Sequence, residues 1–196
     1  MTFCVHIDEG HGGHNLGTEA AGIPEKDLTL AVGELLADMI RASMPVRLSR
    51  SRSHDTDLSQ YERGAISVRR EASLVLSIHI NAQPGDGGDW HGAEAYHMPG
   101  NFRSQHLAET WIDALPRIVK PARIVAAIDA DPDHRNARAI LLAHVADVVL
   151  CELCYATNET DRAWILSPQG RVSAACSLLA VVVEAWRLQE GMSSGV

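Results

Sequence analysis

A chain of 196 residues, 46% hydrophobic and 21% charged, has the length and composition of one globular domain that buries a core without disulfide or metal staples. Disordered and fibrous classes are excluded. The formal charge of -8, from 17 basic and 25 acidic residues, argues against nucleic acid as the main partner, because phosphate binding needs clustered lysine and arginine. No basic segment followed by an apolar stretch opens the chain, so no signal peptide is expected. The most apolar run, Leu178 to Val183, is too short for a bilayer, so no membrane insertion is expected.

In chain order, Cys4 to Asp8 alternates like a strand and stops in Gly10-His11-Gly12-Gly13, glycines that bracket an imidazole and keep bulky side chains away from it. Pro24-Glu25-Lys26-Asp27 starts a helix whose apolar face carries Leu28, Leu35, Leu36, Met39 and Ile40, with Glu25 near its amino end. Pro45 closes that helix, Val46 to Ser49 alternates like a half-exposed strand, and Ser51 to Asp57 is a polar loop. Leu58, Tyr61, Ala65, Val68 and Ala72 recur at helical spacing, with Arg63, Arg69 and Arg70 elsewhere around the helix.

Leu74 to Asn81 is a continuous apolar run of the kind found in a central strand, with His79 at its carboxyl end. A glycine-rich loop from Pro84 to Gly92 and a strand from Ala93 to Met98 follow. Leu107, Trp111, Ala114 and Ile118 mark a helix that Pro116 kinks or shortens. Pro121 to Arg138 has the composition of an irregular connection, and Ala139 to Ala143 that of a short strand.

Val148 to Leu153 is a stronger strand that carries Glu152, a carboxylate in an apolar run that needs a partner or a site. The closing helix aligns Val172, Ala175, Leu179, Val182, Val183 and Trp186 on one stripe. The expected architecture is a three-layer α/β/α single domain over residues 1–190, with a largely parallel or mixed twisted sheet, followed by a frayed tail at 191–196.

The four cysteines, Cys4, Cys151, Cys154 and Cys176, are expected to be reduced thiols. Cys151 and Cys154 have the two-residue spacing of a metal pair, but no second pair exists and their run looks like a strand. His6 alternates within the first strand. His14, His54, His97, His106 and His144 lie where solvated or hydrogen-bonded roles are expected.

His11, Glu25, His79 and Glu152 all fall at strand ends, helix starts or the loops between them, where ligands bind in open α/β sheets. Two imidazoles and one carboxylate are a known catalytic zinc set that leaves a fourth position open, with Glu152 free to act as base. The same four lie in ordered blocks: Ile7 to Gly13, Glu25 to Leu30, Ser77 to Ala82, and Leu150 to Leu153 running on to Asn158 and Asp161. In these blocks the sequence resembles the zinc-dependent N-acetylmuramoyl-L-alanine amidases of the amidase_3 type.

The resemblance implies Zn2+ held by His11, Glu25 and His79, Glu152 as the catalytic glutamate, and cleavage of the amide between N-acetylmuramic acid and the L-alanine of a peptidoglycan stem peptide. Glu9 stands where the family usually has a small residue, and Asn15 where an aspartate is common. An Arg-x-x-Asp element matches Arg52 to Asp55, although Arg50 directly follows the strand. Asn81, His91 and His134 are candidates for substrate contact, the two histidines because they lie in long loops.

Two other readings stay open. One is a zinc peptidase or amidohydrolase on a small peptide or acyl-amino acid; the other is a catalytically silent wall-binding module. A monomer is favoured. With no export signal expected, the substrate outside the membrane implies a phage-type endolysin, made in the cytoplasm and acting on the cell wall once released.

Overall fold

The computed structural model describes residues 2–83, 90–126 and 135–193. The described strands are β1 (Cys4–Glu9), β2 (Glu19–Ala20), β3 (Ile23–Pro24), β4 (Arg47–Arg50), β5 (Leu74–Asn81), β6 (Glu94–His97), β7 (Arg123–Ala126) and β8 (Asp147–Tyr155). The helices are α1 (Glu25–Ser43), α2 (Gln60–Arg69), α3 (Phe102–Ala114), α4 (Arg135–Leu142), α5 (Glu159–Leu166) and α6 (Pro168–Ser193). Six strands form one sheet in the order β4-β1-β5-β8-β6-β7, and β2 and β3 make a separate small hairpin. β4, β1, β5 and β8 are mutually parallel. β6 runs antiparallel to β8 and carries β7 parallel to itself, so the sheet is mixed.

Strand alternation sorts the chain into two unlike faces. Val5, Ile7, Leu74, Leu76, Ile78, Val149, Cys151 and Leu153 point to one face and join Leu28, Val32, Leu36 and Ile40 of α1 with Leu107 and Trp111 of α3. α6 closes that layer with Ala174, Ala175, Leu178, Val181, Val182 and Ala185. The opposite face holds a much smaller apolar cluster, Val75, Tyr96, Leu141, Val148 and Leu150, under α2 and α4. The remaining side chains there are polar: His6, Asp8, Ser77 and His79 are buried.

Several sequence expectations change. Ala139 to Ala143 is not a strand: residues to Leu142 belong to α4. Within the connection from Pro121, the described part holds β7. On α2 the expected apolar stripe is turned outward, with Tyr61 82% and Val68 46% exposed while Arg63, Gly64 and Ser67 are buried. A charged side chain wins the inward position because Asp8 and three backbone carbonyls wait for it there. The α6 stripe is rotated by about one residue, leaving Val172 and Val183 exposed.

α6 is long and apolar enough by length and composition to cross a membrane, which the short run Leu178 to Val183 did not indicate. In this structure its buried stripe packs in the core layer. All four thiols are free, with Cys176 exposed and the others buried.

Candidate metal centre

The loop that leaves β1 places His11 beside the start of α1 and the end of β5. His11 Nε2 lies 3.1 Å from Glu25 Oε1, and His79 Nδ1 lies 3.2 Å from the same oxygen. The two imidazoles meet edge to face, with centroids 5.0 Å apart. One ligand atom from each of His11, Glu25 and His79 lies within 4.8 Å of the others, a group able to hold a metal ion. Four donors arranged tetrahedrally about 2.0–2.1 Å from zinc stand about 3.3 Å apart. The observed separations to Glu25 Oε1 are close to that edge length, so the donor set fits the ion.

Each member is held by its own local chemistry. Asn15 Oδ1, which accepts from Gly17 N, also accepts from His11 Nδ1 at 2.8 Å. That acceptor holds a proton on Nδ1, so a metal that replaces the proton on Nε2 would meet a lone pair facing the site. Asn15 thereby supplies the same acceptor chemistry as an aspartate would.

Glu25 is the first residue of α1 and almost fully buried. Its Oε1 accepts from Ile80 N and its Oε2 from Thr18 N, each at 2.8 Å. Burial pushes its carboxyl up, but hydrogen bonds from His11 and His79 outweigh this and hold it at about 2. His11 is desolvated, which lowers its pKa, yet the Glu25 contact raises the net value. Gly10 is required by packing, since a Cβ there would stand 2.5 Å from His79 Cε1.

His79 is directly paired with Glu152 across the β5/β8 ladder, so the two side chains share one face. Glu152 lines the same cavity of about 520 Å³ as His11, Glu25 and His79. Its Oε2 is enclosed and accepts no hydrogen bond from the described residues. Burial, then the negative charges of Glu25 and Glu94, push its carboxyl well above the usual range. A cation among the three ligands would oppose that push.

Of the residues expected at a site, the structure brings His11, Glu25, His79, Glu152 and Asn81 to the cavity. The Asn81 amide donates to Glu94 Oε2 at 3.0 Å. His91 is half-buried and is not among the cavity-lining residues, and His134 lies outside the described residues. Arg63 and His144 line the cavity although the sequence did not single them out for it. Asp8 accepts from Ser51 Oγ at 2.6 Å, Arg63 Nη1 at 2.9 Å and Ser77 Oγ at 2.9 Å, and His144 Nε2 stands 3.8 Å from it. His6, expected to alternate within the first strand, lies in β1 and is fully buried between Ser49 and Ser51 Oγ, each at 3.0 Å.

The two arginines after β4 make different contacts. Arg52 and Asp55 grip the His11 loop, whereas Arg50 pairs with Glu9 and Glu34. At the far end of β8, Asp161 Oδ2 accepts from Tyr155 N and Gly92 N at 2.9 and 2.7 Å, tying the wall beyond Glu152 to the start of β6.

A mixed α/β sheet with two imidazoles and a carboxylate converging at its strand ends, next to a glutamate whose Oε2 has no hydrogen-bond partner among the described residues, defines an α/β fold with a candidate metal site. More particularly, the chain belongs to the amidase_3 family, described as N-acetylmuramoyl-L-alanine amidase, whose pattern matches residues 5–182. Among curated relatives, it is 33% identical over 88 residues to an endolysin of Bacillus phage SPP1, covering 45% of this chain and 32% of that one. It is 28% identical over 127 residues to the germination-specific N-acetylmuramoyl-L-alanine amidase of Bacillus subtilis, covering 58% and 52%.

The chain thus spans about a third to a half of the length of these relatives. The fold is that of the N-acetylmuramoyl-L-alanine amidase from Clostridium difficile 630, at a TM-score of 0.82 and 23% identity, covering 95% of this chain and 97% of that one. AmiC2 of Nostoc punctiforme superposes with a TM-score of 0.81 at 23% identity, covering 94% and 97%.

Proposed function

We propose that the protein is a zinc-dependent N-acetylmuramoyl-L-alanine amidase that hydrolyses the amide between the lactyl group of N-acetylmuramic acid and the L-alanine of the stem peptide. His11, Glu25 and His79 are the metal ligands and Glu152 the general base. The observation that carries this reading is the convergence of three ligand atoms within 4.8 Å, in one cavity, beside Glu152 Oε2, which has no hydrogen-bond partner among the described residues. Zinc suits two imidazole nitrogens and a carboxylate oxygen, and when bound it supplies the positive charge that polarises the scissile carbonyl and acidifies the attacking water.

Glu152 does the proton work. It takes a proton from the water as the water oxygen adds to the carbonyl carbon, then delivers that proton to the L-alanine nitrogen as the C–N bond breaks, leaving a free carboxylate and a free amine. Among the described residues its enclosed Oε2 has no competing donor, which keeps the proton site available. The His79 and Glu152 ladder pairing holds base and ligand on a rigid strand pair. Asn81, which spends one amide hydrogen on Glu94, offers the other to substrate in the cavity.

The setting we propose is cell-wall lysis of the endolysin kind, supported by the phage relative. Incubating the purified chain with isolated cell walls, with mass spectrometry of the products, tests the reaction. Free stem peptides beginning at L-alanine, beside intact glycan, are expected; a chelator abolishes their release and zinc restores it. Release of shortened peptides that leave L-alanine on the glycan would overturn the amidase reading in favour of a peptidase.

A further inference from the structure

The segment that carries His11 is held in a conformation it would not choose by itself. His11 has φ 61°, in the left-handed region that a side chain bearing Cβ rarely occupies, and Gly12 and Gly13 follow at φ 139° and 57°. His11 itself is partly exposed; the turn is closed by the paired Gly12 and Asn15 backbones, at 2.9 and 3.1 Å, and is gripped from outside by charged side chains.

Arg52 donates from Nε to Glu9 O at 3.1 Å and from Nη2 to Gly10 O at 3.0 Å. Lys26 Nζ donates to Gly13 O at 2.9 Å and pairs with Asp55, whose Oδ1 accepts from Gly13 N at 2.7 Å.

Arg63 makes the contacts that straddle His11. Its Nη1 donates to Asp8 Oδ1 at 2.9 Å and Glu9 O at 2.5 Å, on the strand side. Its Nη2 donates to His11 O at 2.5 Å, beyond the turn. Its Nε donates to Leu58 O at 3.2 Å, which orients the planar group from behind. Arg63 is 6% exposed and comes from α2, which turns Tyr61 and Val68 to solvent while this cation faces inward.

We propose that Arg63 is a positioning residue for the metal centre: by gripping the carbonyls of Glu9 and His11 in one plane, it fixes the left-handed turn that aims His11 Nε2 at Glu25. The inference rests on the reading of His11, Glu25 and His79 as zinc ligands. Its physical content is preorganisation. The backbone cost of the turn is met when the chain folds, so zinc does not have to meet it on binding. The Asp8 pairing neutralises a buried charge, and this is the purely structural role that competes with the proposal.

Arg63→Lys separates the two roles. Lysine keeps a cation beside Asp8, but a single ammonium on a flexible stem cannot span Asp8, Glu9 O and His11 O together. Zinc affinity is measured on the full chain by competition with a chromophoric chelator, and the thermal midpoint with and without zinc. The expected result is zinc binding weakened tenfold or more, with a smaller zinc-induced rise in Tm for the variant than for the parent. A variant whose metal-free and zinc-loaded Tm fall equally, with unchanged zinc affinity, overturns the proposal and leaves Arg63 as a partner of Asp8.

If Arg63→Lys does not fold, a crystal structure of the metal-free parent decides. His11 at positive φ with its carbonyl on Arg63 is expected, and a rearranged loop that orders only with zinc overturns the inference. A parent that takes up no zinc overturns the metal reading and this inference with it; a parent that binds zinc beside an equally competent Arg63→Lys overturns this inference alone.

Discussion

The two faces of the sheet follow different rules. On the α1, α3 and α6 side, strand residues are aliphatic, the helices present matching stripes, and the described core is nearly continuous. On the α2 and α4 side, β1, β5 and β8 send out His6, Asp8, Ser77, His79 and Glu152, and the covering layer meets them with Arg63 and Ser67 of α2 and with His144 just beyond α4. The difference shows a division of labour within one sheet. One face gives up polar chemistry to gain stability, and the other gives up apolar burial to hold charges in fixed geometry next to a cavity.

The sharpest break of that division is chemical. Glu152→Gln keeps the shape of the polar face and removes its proton acceptor, so turnover on cell walls should fall by about 10²–10⁴-fold, equivalent to about 3–5 kcal/mol of barrier. Zinc content measured by metal analysis should stay at the parent level, because His11, Glu25 and His79 are untouched. A variant that retains parental turnover would remove Glu152 from the chemistry.

The same comparison predicts unequal costs for equal truncations. Leu36, fully buried in the continuous core, and Leu150, 1% exposed in the small cluster, are both leucines. Within the range of about 2–5 kcal/mol for burying and then deleting such a side chain, Leu36→Ala should lie near the top and Leu150→Ala near the bottom. The reason is collapse: short α4 over the small cluster can follow the lost volume, whereas long α1 and α6 cannot. Urea unfolding of the two variants checks the order, and equal losses would mean that the two faces are equally rigid.

Legibility from sequence follows the same line. The α1 stripe could be read because Leu28, Leu36 and Ile40 face aliphatic partners, so periodicity and burial agree. Leu74 to Asn81 is likewise legible as a strand delivering His79, and the glycines around His11 mark an open loop. α2 could not be read that way. Its inward positions are chosen by Asp8, 55 residues earlier, and by carbonyls of the His11 loop, and no local spacing records such a pairing.

Arg63 therefore stood on the wrong side of an otherwise reasonable helical stripe, and His144 gave no signal at all. The displaced α6 stripe has a milder cause. That helix is apolar nearly all round, so Val172 and Val183 were as eligible by composition as Ala174 and Val181, and packing alone decided.

Asp8 and Glu9 carry the comparison to adjacent residues, one on each face. Asp8 is buried, which would raise its pKa, but His144, Arg63 and Ser51 hold it well below the usual range. Its contribution is present above the unfolded value of about 3.9 and is lost as pH falls through the folded pKa. Glu9 faces the apolar side, against α1. Burial drives its carboxyl up to about 7 even with Arg50 opposing.

A raised carboxyl binds more protons folded than unfolded, so the native state loses stability as pH rises from about 4.3 to about 7. In metal-free protein, Glu9→Gln should therefore gain on the parent across that window by about 3–4 kcal/mol. Urea titrations at several pH values check it: a difference that stays flat with pH would mean that folding leaves the Glu9 pKa unchanged, and one that falls as pH rises would place Glu9 with Asp8.

The smallest expected effect is the most direct test of the reversed helix. Tyr61 belongs to the apolar stripe that periodicity assigns to the interior of α2, yet it is 82% exposed, and Gly64 and Ser67 take the inward positions. If the polar face is built as described, Tyr61→Ser removes little buried area and should change stability by no more than about 0.5 kcal/mol. If α2 instead presented its apolar stripe to the sheet, the same substitution would delete a buried aromatic ring and cost several times as much. Arg63 would then face solvent, leaving Asp8 as an unpaired buried carboxylate, which the energetics of burying charge disfavour. A near-neutral Tyr61→Ser therefore supports an arginine-inward α2, because the two orientations cannot both hold.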